Sequence, residues 1–155
     1  MTQSIESRLA QLGIELPQPA APAAAYVPTI RTGNLVYVSG QLPVWNGEIR
    51  FKGKVGATVT VEQAQEAARL CALNLLAQVH AACGGSLDAV RRCVKLGGFV
   101  ASGPDFYDHP KVVNGASQLM LDVLGDAGRH ARFAVGAPAL PFDVPVEVDA
   151  VFEVA

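Results

Sequence analysis

The sequence predicts an α+β protein: a mixed sheet with two long helices covering one of its faces. Three observations predict it. Residues 60–83 and 110–124 repeat apolar side chains at helical spacing over a helix-like length. Five shorter stretches rich in Val, Ile and Phe, at 26–31, 35–41, 90–101, 131–137 and 144–154, read as strands. Finally, the order strand, strand, helix, strand, helix, strand, strand groups strands at both ends, so the helices are left to cover one side of a common sheet.

The elements follow in chain order. Residues 4–13, SIESRLAQLG, read as an amphipathic helix with Ile5, Leu9 and Leu12 on one face and Gly13 as its stop. The next stretch, LPQPAAPAAA, has no periodicity and reads as an extended Pro/Ala arm. The expected organisation is therefore a helix and arm over 1–23, followed by a single domain over 24–155. Tyr26–Arg31 and Leu35–Gln41 form a hairpin about Thr32-Gly33-Asn34. Trp45-Asn46-Gly47 is a second turn, from which Glu48–Phe51 returns as a short edge strand. Thr60 with Gln63 makes a capping box for a helix to Cys83, its stripe Ala64, Ala68, Cys71, Leu75 and Val79. Val90–Ala101 is a strand, with a bulge expected at Gly97-Gly98. Pro110 suits the first turn of a helix that Gly125 ends. Ala131–Ala137 and Val144–Val154 close the sheet across the Pro138–Asp143 link.

Composition excludes several function classes. A length of 155 residues suggests one domain with a sizeable core. Half the residues are hydrophobic and mean hydropathy is +0.28, which points to surface buried between subunits. Net charge is −2 and no run of Lys or Arg exceeds the pair Arg91-Arg92, so no nucleic-acid footprint is present. No apolar run is long enough for a membrane span, and the first residues lack the pattern of a signal peptide. Cys71, Cys83 and Cys93 form no C-x-x-C pair and read as reduced thiols, which suits a cytoplasmic protein. Phosphate-binding loops, nucleophile elbows and zinc-deaminase signatures are missing, and His80, His109 and His130 have no ligand spacing, so no metal site is expected.

What remains is a constellation near the end of the chain. Period-two alternation puts Arg132, Ala134 and Gly136 on one face of their strand, with small residues beside the guanidinium. Such an arginine can hold a small carboxylate through a two-pronged hydrogen bond; it can equally be a structural ion pair with Glu147 or Asp149. In the last strand Glu147, Asp149 and Glu153 fall opposite Val146, Val148, Ala150, Phe152 and Val154. This acidic row is either an ordinary solvent face or part of a site. Ser39, in VSGQLP, has no base beside it in sequence and is not read as a nucleophile.

The Tyr26 segment, VYVSGQLP at 36–43, VVNGAS at 112–117, HAR at 130–132 and LPFDVPVEVDA at 140–150 occur together in an order that resembles the RidA family, also called YjgF-type and often labelled endoribonuclease L-PSP. The resemblance covers residues 24–154, and the extra helix and arm look like a branch with a long N-terminus. It implies a chorismate-mutase-like fold of the bacillus type, a homotrimer with sites in clefts between subunits, and no cofactor. It also implies hydrolysis of reactive 2-imino or enamine acids to 2-oxo acids and ammonia. By that resemblance Arg132 clamps the substrate carboxylate and Glu147 positions water, while Tyr26, Ser39, Gly40 and Asn114 line the cleft. Phe133 stands where many members have a small residue, and Asp149 where a longer glutamate is common. Two other functions use the same residues or label: a non-catalytic trimeric module that binds small carboxylates, and an endoribonuclease. The acidic isoelectric point of about 5.9 and the few aromatics argue against the latter.

Overall fold

The computed structural model describes residues 3–22 and 24–155. Helix α1 (Ile5–Leu12) starts at Ser4, whose hydroxyl accepts the Ser7 N–H, and ends at Gly13 with φ of 68°. Leu9 enters the core, whereas Leu12, expected on the same stripe, is exposed. The Glu6 carboxylate accepts the Leu87 N–H at 2.7 Å, which ties this helix to the loop that follows the helix at Val61–Ala82.

Strand β1 (Thr29–Thr32) pairs antiparallel with β2 (Leu35–Gln41). The strand expected to begin at Tyr26 begins three residues later, because Pro28 has no N–H to give a ladder. Its carbonyl is used instead and accepts the Ser39 N–H at 2.9 Å. Residues Val44–Trp45 (β3) and Glu48–Ile49 (β4) form their own two-stranded hairpin and do not join the main sheet as an edge. Asn46 and Gly47 both take positive φ at its tip, as such a tight turn demands.

Helix α2 (Val61–Ala82) carries the full capping box between Thr60 and Gln63. Helix α3 (His109–Leu124) begins one residue before Pro110. Strands β5 (Val90–Ala101), β6 (Ala131–Ala137) and β7 (Val146–Val154) complete the molecule; β6 stops before Pro138, as expected. Strand β7 starts two residues later than predicted, at the point where the Pro145 carbonyl accepts the Ala101 N–H.

The main sheet runs β1-β2-β7-β5-β6. Only β5 and β6 are parallel, joined by the α3 crossover, so the sheet is mixed as expected. Both long helices pack on one face. The core lies between, around Phe152, Leu75, Leu76, Leu96, Leu119 and Met120. The alternation in β7 is obeyed throughout: Val146, Val148, Ala150, Phe152 and Val154 are buried under the helices. The opposite face is open and carries Tyr37, Phe99, Val135 and Val151 beside Glu147 and Asp149.

The bulge expected at Gly97-Gly98 is absent. Pairing is regular through both residues, and the irregularities lie between Val90 and Arg92 and between Cys93 and Lys95. The two glycines are required for clearance. A Cβ on Gly97 would stand 2.5 Å from the Phe133 ring, and one on Gly98 would stand 2.6 Å from Val113 of α3.

Candidate functional site

The six candidate residues separate into two groups within the chain. Registers decide it. Leu96 of β5 pairs with both Arg132 and Ala150, which puts Arg132 in the row under the helices. Phe99 pairs with Glu147, which puts Glu147 in the row on the open face. Strand β5 also stands between their two strands. Arg132 and Glu147 therefore lie on opposite sides of the sheet and form no ion pair, which removes that structural reading of Arg132.

The first group is built around Arg132 at the sheet's β6 edge. Its Nη1 donates to Asn114 Oδ1 at 2.8 Å and to Ser117 Oγ at 3.2 Å. Its Nη2 donates to the Pro110 carbonyl at 3.4 Å. Asn114 and Ser117 sit one helical turn apart on α3, so the helix presents both to the same cation. His130 extends the chain: Nδ1 lies 2.6 Å from the Gly128 carbonyl and Nε2 lies 2.8 Å from Ser117 Oγ. A carbonyl only accepts, so Nδ1 carries a proton, and the Ser117 hydroxyl stands between Nε2 and Arg132 Nη1. Every acceptor on the guanidinium is neutral. Its charge is uncompensated among the described residues, and two of its five N–H donors remain for a ligand.

The second group gathers where β2 leaves β7. Gly40 packs on Glu147, and a Cβ there would stand 3.0 Å from Glu147 Cδ. The main-chain register between β2 and β7 shifts between Val38 and Gln41, which places Ser39 and Gly40 in a bulge beside that carboxylate. Ser39 Oγ donates to the Val27 carbonyl at 2.8 Å, so it ties down the segment that carries Tyr26. Tyr26 and Gly40 line one cavity of about 380 Å³.

Glu147 is half-buried, and no cation among the described residues lies within ion-pair distance of it. Partial burial pushes its carboxyl above the usual range, and the negative charge of Asp149 pushes it further the same way. No described residue supplies an opposite charge in an ion pair with Glu147. Among the described residues no group of His, Cys, Asp and Glu is arranged to hold a metal ion, and no helix is long and apolar enough to cross a membrane.

Sequence reasoning missed a polar line along α2. Asn74, fully buried, donates from Nδ2 to the Val44 carbonyl at 2.6 Å and to that of Leu70 at 3.0 Å. One turn later Gln78 donates to the Ala20 carbonyl at 2.8 Å and faces Gln41 at 3.4 Å. These side chains fasten the β3 hairpin and the Pro/Ala arm to the helix. The available signal was two amides four residues apart inside an otherwise apolar run. Phe142 was missed as well. It and Asp143 take φ of 57° and 60°, a left-handed conformation that costs a bulky residue about 1–2 kcal/mol. The Gly53 N–H, donating to the Asp143 carbonyl at 2.7 Å, helps to hold that turn.

With this geometry in view the comparisons are informative. A family model described as "YjgF/chorismate mutase-like, putative endoribonuclease" matches residues 6–153. Protein TCP17 of Trypanosoma cruzi is 49% identical over 150 residues, covering 96% of this chain and 93% of that protein. The crystal structure of Atu1372 from Agrobacterium tumefaciens, of unknown function, is 54% identical with a TM-score of 0.90, covering 97% of this chain and 92% of that one. The Escherichia coli protein TdcF, whose structure has serine bound, is 26% identical with a TM-score of 0.62 over 99% of this chain and 100% of that one.

Proposed function

Because the chain belongs to the YjgF/chorismate-mutase-like family, we propose that it hydrolyses 2-imino or enamine acids to 2-oxo acids and ammonia, in clefts between the subunits of a homotrimer. One observation carries this reading: Arg132, an uncompensated cation, and Glu147, an unpaired carboxylate, lie on opposite faces of one protomer's sheet. Two half-sites on different surfaces of one chain come together through a head-to-tail contact between copies, and such a contact forms a ring when its rotation closes. Serine bound to the relative TdcF supports a small amino or carboxylate ligand.

The chemistry follows from the two groups. The two remaining N–H donors of Arg132 grip the substrate carboxylate, with Asn114 and Ser117 fixing the plane of the fork. A protonated imine needs no further activation as an electrophile. Glu147 of the adjoining subunit takes a proton from water as the new C–O bond forms at C2. It hands that proton to the nitrogen, the C–N bond breaks, and the hydroxyl proton follows to ammonia, which leaves as ammonium. A general base so placed is worth roughly 10²–10⁴-fold. Its elevated proton affinity brings it nearer the pH at which a base is most useful.

Subunit mixing tests the arrangement. Arg132→Ala and Glu147→Gln trimers are each expected to lose imine hydrolysis, measured by semicarbazide trapping of imines made by an amino-acid oxidase. Co-refolded at equal amounts, they are expected to regain about a quarter of wild-type activity, since a mixed ring rebuilds complete sites at some boundaries. No recovery in verified mixed rings would overturn the shared cleft. Retained ligand binding with no turnover in the wild type would instead favour the carboxylate-binding module.

A further inference from the structure

We infer that the Pro/Ala arm and Phe142 build a side-chain pocket that selects 2-imino acids with bulky apolar side chains over small ones. This deepens the hydrolase reading above and rests on it. The cavity of about 380 Å³ that holds Tyr26 and Gly40 is large enough for a branched or aromatic group. Its wall comes from three separate segments. Ala20, Ala21 and Pro22 come from the arm, Leu42 and Ile49 from around the small hairpin, and Phe142 from the left-handed turn before β7. No charged side chain lines it. Such a wall recognises hydrocarbon and offers a second carboxylate or an ammonium no opposite charge to pair with.

The pocket is held in place. Buried Gln78 donates to the Ala20 carbonyl, and the Gln18 N–H donates to Asn46 Oδ1 at 2.8 Å. Those two bonds pin the arm at both the helix and the hairpin tip. The cavity shares Gly40 with the Glu147 half-site, which makes the two adjoining. Phe142 exposes much of its ring although its backbone is strained, a combination that packing alone does not account for.

The test compares side-chain size. Imines are generated from alanine and from leucine by an amino-acid oxidase, and binding of pyruvate and of 4-methyl-2-oxopentanoate is measured by calorimetry. The leucine-derived imine is expected to have the higher kcat/KM, and the larger oxo acid to bind more tightly, each by on the order of tenfold or more. Phe142→Ala, and independently Ala21→Trp, are expected to shrink both ratios toward one. Equal handling of large and small acids by the wild type overturns the inference, as does an unchanged ratio in both folded variants. Tighter binding of the larger acid with no hydrolysis of either imine supports the pocket while sinking the hydrolase reading. Failure to bind either acid overturns the pocket too.

Discussion

A single carboxylate shows how its surroundings set its chemistry. Glu147 owes its raised proton affinity first to burial and second to Asp149. Replacing Asp149 by Asn removes the second cause, so the carboxyl ionises at lower pH. The acid limb of a kcat/KM profile is then expected to move to lower pH, read by imine trapping from pH 4 to 9. The sign for stability is opposite to that of an ion-paired glutamate. A folded proton affinity above the unfolded one stabilises the protomer at acid pH, and that contribution is lost as pH rises through the folded value. Glu147→Gln is therefore expected to raise the denaturation midpoint at neutral pH relative to wild type and to lose that advantage below the unfolded glutamate range. The face of each residue within its own strand was legible from alternation. That Arg132 and Glu147 face apart was not, because it depends on β5 entering between their strands, and no local pattern encodes that insertion.

At the level of elements, helices were read closely because capping and stripe are local. Thr60 with Gln63 marks the start of α2 from four residues alone. Strand ends were read less well. Pro28 and Pro145 decide where β1 and β7 begin, yet their effect depends on which ladder partner would have needed the missing N–H. Gly97 and Gly98 look like a weak spot in sequence and are clearance for Phe133 and Val113 in space. Helix contacts rest on a similar economy. Gly115 of α3 lies so close to the Gln65 carbonyl of α2 that an added Cβ would collide with it, while Gln65 Nε2 donates to the Lys111 carbonyl at 2.9 Å. Gly115→Ala is expected to lower stability by about 1–3 kcal/mol, measured by urea unfolding, because the two helices must part.

For the molecule as a whole, the proposed assembly rests on the uncovered sheet face. Phe99 and Val135 are partly exposed and share with Tyr37 a sheet face that no helix covers. On the proposed trimer, Phe99→Asp is expected to give monomers by sedimentation velocity, to keep the helical circular dichroism signal, and to abolish hydrolysis by parting the half-sites. The hydropathy of the sequence raises the expectation of a surface buried between subunits, and the layer arrangement supplies an open apolar face on which to test it. That same layering has a bearing on biogenesis. Strand β7 comes after every other strand in the chain, yet it fills the middle slot between β2 and β5. While a ribosome is still extruding the earlier segments, both of those neighbours keep bare, hydrogen-bond-hungry margins, and nothing upstream can seal them. Commitment to the native state must therefore wait for one late ribbon to thread home, which makes the nascent chain, rather than the finished protein, the form most in need of a chaperone.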